Sequence, residues 1–276
     1  MPTTRTYRAI RFRHAESEAV DDVLTTESAL QISVNGDAFT MTMRTPGSDK
    51  ALVRGLLHSE DVVVPGAESY RYQTSCIDEN GDISAVNVIL DEKDAGKGLE
   101  SERSLMSVSS CGICGKQDAD SILPEGDPLQ TSYKLDPEDL YRMFRIMEKH
   151  QNTFIRSGGS HAAAAFDTTV EMIALGEDIG RHNAVDKVIG QCLLDSTIDD
   201  AEVLLVSGRI SFEIITKTFK AGIPYLAAVS APSNLAVEFA EKLGITLMAF
   251  CRDEKCTVYS RPERVLGERY EGQSFN

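Results

Sequence analysis

The sequence lacks several features that would indicate particular classes of protein. It has no run of about 20 apolar residues, the length that a helix needs to cross a bilayer, so we expect no contact with a membrane. Its first 20 residues lack the apolar stretch of a secretory signal, so we expect a cytoplasmic protein. Positive charge is scarce, since 28 Lys and Arg stand against 43 Asp and Glu, a net charge of −15. Proteins that coat nucleic acid need clustered cations, so we expect no nucleic acid partner, although a local basic pocket for one phosphate ligand stays possible.

What is present describes a globular protein. The chain has 276 residues, of which 42% are hydrophobic and 26% charged, enough for one large domain or two modest ones. In the cytoplasm its six cysteines are expected to be reduced unless they are catalytic. Cys192 lies in an apolar helical stretch and is predicted to be a small core side chain, whereas the pattern assigns no role to Cys76.

Residues 1–130 are predicted to form a strand-rich N-terminal region. Residues 28–47 alternate with period two around Asn35-Gly36, which is typical of a β-hairpin. Residues 48–61 have the spacing of a helix, and a second hairpin is predicted on either side of residues 79–82. The charged, poorly periodic residues 91–128 are predicted to be the most flexible stretch.

Residues 131–276 show a different pattern, with short apolar strands alternating with helices of about twelve residues. Strands that are apolar on both faces predict an α/β fold with a mainly parallel sheet flanked by helices. Ligands of such sheets bind beyond the carboxyl ends of the strands, close to helix N-termini. Three segments occupy that position: residues 207–211, 230–234 and 251–256.

A cluster of polar side chains at residues 176–190 allows two interpretations. It is either an ordinary capped helix, with Asn183 as the cap and Asp186 and Lys187 in water, or a polar cluster at the mouth of the sheet. His161 follows a Gly-Gly turn earlier in the chain, and a lone histidine is a weak indication of function.

The C-x-x-C motif formed by Cys111 and Cys114 allows a metal site, a disulfide, a redox centre or a sulfur carrier. A structural zinc would need a second pair of ligands, for which the distant Cys251 and Cys256 are unconvincing. A zinc deaminase needs H-x-E followed by P-C-x-x-C. His58 stands two residues before Glu60, but Ser110 replaces the proline.

Seven segments of the sequence, in order, resemble the FdhD family of formate dehydrogenase accessory sulfurtransferases. They are "RTPG" (44–47), "SSCGICGK" (109–116), "SGGSHAAA" (157–164), "EDIGRHNAVDKVIG" (177–190), "SGRISFE" (207–213), residues 221–250 and "CTVYSRPER" (256–264). The resemblance implies a homodimer whose C-terminal domain is cytidine-deaminase-like without the catalytic zinc, so no structural metal is expected. It also implies that sulfur passes from a cysteine desulfurase, as a persulfide, to a molybdenum (or tungsten) bis-molybdopterin guanine dinucleotide cofactor. Formate dehydrogenase needs that cofactor for activity.

The same resemblance assigns site residues. Cys111 matches the persulfide-bearing position of the family and Cys114 its partner. The segment that matches the family's cofactor-contacting loop consists of Phe250, Cys251, Arg252, Asp253, Glu254 and Lys255. The sheet-edge rule adds Ser207, Arg209 and Ser230 as cofactor-binding candidates. Two further hypotheses stay open: a cofactor-binding chaperone without sulfur transfer, and a zinc-dependent deaminase.

Overall fold

The computed structural model describes residues 2–64, 66–100 and 123–267. Cys111 and Cys114 lie outside the described residues. The strands are β1 (Thr4–Arg13), β2 (Glu16–Thr25), β3 (Ser28–Val34), β4 (Asp37–Arg44), β5 (Arg71–Ile77), β6 (Ile83–Ile89), β7 (His161–Phe166), β8 (Met172–Asp178), β9 (Val203–Val206), β10 (Tyr225–Ala228), β11 (Thr246–Arg252) and β12 (Lys255–Val258). The helices are α1 (Asp49–Ser59), α2 (Pro137–His150), α3 (Asn152–Ser157), α4 (Arg181–Asp195), α5 (Phe212–Lys220) and α6 (Asn234–Leu243).

The N-terminal strands form two sheets. The long hairpin of β1 and β2 stands by itself, and a four-stranded sheet has the order β4-β3-β6-β5. Both hairpins that the sequence predicts are present, with left-handed Asn35 and Gly36 at the first bend. The predicted helix is α1, which packs with β3 and β6 in one apolar cluster. The predicted domain boundary at residue 130 stays a prediction.

The six-stranded sheet has the order β12-β11-β10-β9-β7-β8, and helices cover both of its faces. Side chains of α2 lie in the apolar cluster on one face, while those of α4, α5 and α6 lie in the cluster on the other. The predicted α/β class is therefore confirmed. The sheet is mixed: β9, β10 and β11 are parallel, whereas β7, β8 and β12 join through antiparallel pairings. The sequence interpretation did not recognise β7 and β12 as strands.

Helix α2 illustrates why the local signals succeeded. Its cap Asp136 accepts a hydrogen bond from the Glu138 backbone N–H, and Pro137 occupies the first turn. Its apolar stripe is buried, as predicted: Leu140, Met143, Phe144 and Met147. None of the helices in the described parts of the chain is both long and apolar enough to cross a membrane.

Helices α1 and α4 cross at two glycines. The packing of these two helices joins the four-stranded sheet to the six-stranded one. A Cβ on Gly190 would lie 1.8 Å from the Ala51 carbonyl oxygen, and one on Gly55 would lie 1.9 Å from that of Asp186. Both clashes are with backbone, which cannot rotate away. The absence of side chains at these two positions therefore sets the distance between the helices.

We expect Gly190→Ala to lower the free energy of unfolding by about 1–3 kcal/mol, the usual cost of overpacking. Alanine favours a helix over glycine by only about 1 kcal/mol, so the clash dominates. The control is Gly66→Ala, where a Cβ would meet no atom within 4 Å. Urea unfolding of the two variants measures the difference, and equal midpoints would contradict a tight crossing.

Candidate functional site

Three turns meet at one edge of the six-stranded sheet, beyond the carboxyl ends of β9, β10 and β11. Ile210 donates a backbone hydrogen bond to Ala231 (3.1 Å), and Ser233 donates one back to Ile210 (2.9 Å). Phe250 N–H donates to the carbonyl oxygen of Ser230 at 3.2 Å. The structure thus brings the three predicted segments together, because parallel strands end on the same side of a sheet.

The antiparallel strand β7 adds its first residues to the same edge. Ser207 fixes this junction, since its Oγ accepts a hydrogen bond from Ala162 N–H (2.9 Å) and its own N–H donates to the Ala162 carbonyl (2.9 Å). His161 is thereby placed beside Gly208, where an added Cβ would lie 3.2 Å from His161 Nδ1 and 3.4 Å from Arg181 Cβ. Gly208 therefore lets a histidine and an arginine approach the turn closely.

Four cationic or ionisable side chains gather at this edge: His161, Arg181, His182 and Arg209. Burial, and then the guanidinium groups of Arg181 and Arg209, lower the pKa of His161, because both guanidinium groups disfavour a charged imidazole. The buried Nε of Arg181 has no hydrogen-bond partner among the described residues. A buried N–H without a partner is costly, and an anion at this position would satisfy it.

His182 and Glu213 form a second pair at the start of α5. His182 Nε2 lies 3.0 Å from Glu213 Oε2 and 3.2 Å from Ser211 Oγ. Burial acts to raise the pKa of Glu213, but His182, Ser211 and Lys217 together lower that pKa overall. Arg181 and the exposed Arg209 are the permanent cations of the edge, because a guanidinium stays protonated in proteins.

Most polar side chains of residues 176–190 have internal structural roles. Asp178 accepts hydrogen bonds from the backbone of Thr45 (3.0 Å) and Gly180 (2.8 Å) and pairs with Lys187 (2.7 Å). Asp186 accepts hydrogen bonds from Lys217 Nζ and Ser59 Oγ at 2.7 and 3.0 Å. These contacts attach α4 to segments far away in the sequence.

The expectation that this stretch is an ordinary capped helix with Asp186 and Lys187 in water is wrong. The two residues are 2% and 4% exposed, and Gly180, not Asn183, occupies the N-cap. Asn183 Nδ2 instead donates to the Met43 carbonyl at 2.8 Å. The alternative, a polar cluster at the mouth of the sheet, describes only Arg181 and His182.

Residues 250–255 form the end of β11 and its turn into β12. Arg252 pairs with Lys255 across a two-residue turn in which Asp253 and Glu254 both have positive φ, as a tight hairpin requires. Arg252 and Lys255 are exposed and have no ion pair with any residue that the structure describes. Glu254 Oε1 lies 3.7 Å from an Arg145 guanidinium nitrogen, which draws this carboxylate towards α2. The cofactor-binding roles of residues 250–255 stay predictions.

Two of the predicted positions differ in accessibility. Phe250 is 38% exposed and has a left-handed backbone (φ 55°), so its ring is available to a ligand at the edge. Cys251 is only 3% exposed and faces the apolar cluster on the α2 side. Its side chain therefore does not lie on the surface that the other five residues of the segment share.

The H-x-E residues of the deaminase hypothesis lie at the end of a helix, not at its start. His58 is in the last turn of α1, where its Nε2 lies 3.0 Å from the Lys220 carbonyl oxygen, and Glu60 is the C-cap. No group of three or more His, Cys, Asp or Glu side chains within residues 2–64, 66–100 and 123–267 could hold a metal ion. Because the C-x-x-C motif lies outside these ranges, the expectation of no structural metal stays a prediction.

Comparison with known proteins agrees with this architecture. The sequence profile of the FdhD/NarQ family matches residues 25–266. "Sulfur carrier protein FdhD" of Mycolicibacterium paratuberculosis is 40% identical over 96% of this chain and 100% of its own length. The protein of the same name from Streptomyces coelicolor is 39% identical over 98% of both chains.

A solved structure shares the fold. The crystal structure of a protein from Desulfotalea psychrophila, described as a formate dehydrogenase accessory protein, superposes with a TM-score of 0.74. It covers 96% of this chain and 100% of its own, at 22% identity, and therefore supports the fold alone. With the profile match spanning nearly the whole chain and relatives at about 40% identity, the chain belongs to the FdhD/NarQ family.

Proposed function

We propose that this protein is a sulfur carrier that delivers sulfane sulfur to a molybdenum or tungsten bis-molybdopterin guanine dinucleotide cofactor destined for formate dehydrogenase. The observation that supports this most directly is that relatives about 40% identical over nearly their full length are named sulfur carrier proteins. The cofactor is the client of the protein rather than a resident group.

The edge of the six-stranded sheet suits an anionic client. Arg181 has a buried N–H without a hydrogen-bond partner among the described residues, and the exposed Arg209 lies near it. A guanidinium can fork onto a phosphate with two hydrogen bonds, and turn N–H groups can add to them. Arg181 and Arg209 would hold the phosphates, while Ser207, Ser230 and the 250–255 turn would border the same space.

The proposed chemistry is a transfer between thiols. The thiolate of Cys111 attacks the outer sulfur of a persulfide on the cysteine desulfurase. A new S–S bond forms on Cys111, the S–S bond of the donor breaks, and the donor cysteine leaves as a thiolate. Cys114 is proposed to release the sulfur at the client. Since this chemistry needs reduced thiols, we place it in the cytoplasm, and we expect the carrier to act as a homodimer.

We expect Cys111→Ala to abolish sulfur loading at the C-x-x-C motif and formate dehydrogenase activation. The first test is intact-mass measurement and peptide mapping after incubation with an active cysteine desulfurase and cysteine. One added sulfur on Cys111, absent in Cys111→Ala but present in Cys76→Ala, is the expected result. No sulfur on either motif cysteine would instead favour a chaperone that binds the cofactor without transferring sulfur.

A further inference from the structure

A second pair of cysteines lies at the hairpin of β11 and β12. Cys251 and Cys256 are both free, and both pack in the apolar cluster on the α2 side of the sheet. Tyr141, on α2, lies close enough to Cys256 for each group to shift the pKa of the other. Two thiols and a phenol thus meet next to the edge where Phe250 contacts Ser230.

A β-bulge brings the two cysteines to the same side of the sheet. Ala249 pairs with Thr257 and Arg252 with Lys255, so Phe250 and Cys251 together lie opposite the single residue Cys256. Met248 faces the α2 side of the sheet, and strict alternation would point Cys251 to the opposite face. The extra residue, accommodated by the left-handed Phe250, turns Cys251 to the α2 side, where Cys256 also packs.

The surroundings shift the pKa values of the two thiols in opposite directions. Hydrogen bonding to Cys256, and then burial, raise the pKa of Cys251, so this thiol keeps its proton. The hydrogen bond from Cys251, opposed by burial and helped by the Tyr141 hydroxyl, lowers the pKa of Cys256 to about 7. Burial, and then the charge of Cys256, raise the pKa of Tyr141 to about 12, so the phenol remains a donor. Cys256, the less buried of the two, is therefore the thiol that gives up its proton more readily.

Cys256 is also accessible to a partner. It is half-buried, and β12 is the outermost strand of the described sheet, with no neighbour on its far side among the described strands. The exposed cations Arg252 and Lys255 stand at the turn next to it. The same turn carries the exposed carboxylates Asp253 and Glu254, so the two cations are groups that an anionic persulfide could contact rather than a net positive field.

We propose that Cys256 is a second sulfur-accepting site of this protein, with Cys251 as the residue that positions its thiolate. This inference rests on the proposed sulfur-carrier function. The Cys256 thiolate attacks the outer sulfur of a persulfide R–S–SH, forming Cys256–S–SH as the S–S bond of the donor breaks. R–S⁻ leaves with the electron pair, and no external oxidant or reductant is needed. The loaded sulfur then lies beside the edge proposed to bind the client.

The test is loading of the full-length protein by glutathione persulfide at pH 7, read by peptide mapping. We expect one sulfur on Cys256, including in a Cys111→Ala/Cys114→Ala variant, and none at this position in Cys256→Ser. The exposed Cys76 is the internal control. Compared with an ordinary thiol, Cys256 has a higher fraction of thiolate at pH 7 but a lower nucleophilicity. Together these differences should make sulfur loading of Cys256 about threefold faster.

The role of Cys251 has its own measurement. The rate of iodoacetamide alkylation of Cys256 should have its midpoint near pH 7. In Cys251→Ala the midpoint should move up towards about 8.5, the value of an ordinary thiol, whereas a merely structural Cys251 would leave it unchanged.

The outcomes separate the two proposals. Sulfur on Cys111 with none on Cys256, or equal loading of Cys76 and Cys256, would overturn the second site and leave the proposed function intact. Sulfur on Cys256 with none on Cys111 in the wild-type protein would overturn the proposed role of the C-x-x-C motif and leave the second site standing. An unchanged alkylation midpoint in Cys251→Ala would overturn the positioning role.

Discussion

Replacing Arg181 with alanine will weaken the binding of guanosine diphosphate about 10- to 100-fold. A hydrogen bond to a charged group contributes about 1.5–3 kcal/mol, and each 1.4 kcal/mol is a tenfold change in affinity. Arg181 is the residue at the sheet edge whose buried N–H has no partner among the described residues, so a phosphate has most to gain from it. Isothermal titration calorimetry measures the change.

Two further variants test whether charge alone explains the effect. Arg181→Lys keeps the charge but loses the planar fork, so we expect an intermediate affinity. Arg142→Ala removes an exposed arginine that pairs with Asp139 on its own helix, and it should bind the nucleotide as the wild type does. Unchanged affinity in Arg181→Ala, with an unchanged melting temperature, would remove this edge from the proposed client site.

Replacing Asp178 with alanine will lower the free energy of unfolding by about 3–5 kcal/mol, the usual cost of removing one partner of a buried ion pair. Asp178 is fully buried, and its loss would leave the ammonium group of Lys187 and the backbone N–H of Thr45 without their carboxylate. Both groups would then be buried with a hydrogen-bond partner missing, which is unfavourable. Chemical denaturation followed by circular dichroism measures the loss.

The matched control is Asp139→Ala, which breaks an ion pair on the surface of α2 instead. Exposed pairs contribute about 0–1 kcal/mol, so this variant should unfold close to the wild-type midpoint. The double variant Asp178→Ala/Lys187→Met should recover part of the stability, since it removes the unpaired charge. A loss below about 1 kcal/mol in Asp178→Ala would show that the segments around Thr45 and α4 are held by other contacts.

The elements that the sequence predicted correctly are those whose signals are local. Asn35-Gly36 defines its hairpin through backbone freedom at the bend, and Asp136 with Pro137 defines the start of α2. The apolar runs of β9, β10 and β11 identified three parallel strands, and their order along the chain was enough to place their carboxyl ends at one edge. Strand β7 was missed because four consecutive alanines carry neither alternation nor β-branched side chains.

Tertiary structure decided what the polar residues do. Asp186 and Lys187 look like solvent-exposed helix residues, and they are buried because Lys217, Ser59 and Thr45, all distant in the sequence, supply their partners. Arg181, in the same block, points into the sheet edge because Gly208 leaves room for it. Cys251 and Cys256 become neighbours only through a bulge in β11. Sequence periodicity records which side of an element is apolar, whereas the pairing of charges and thiols depends on contacts between segments that only the folded chain brings together.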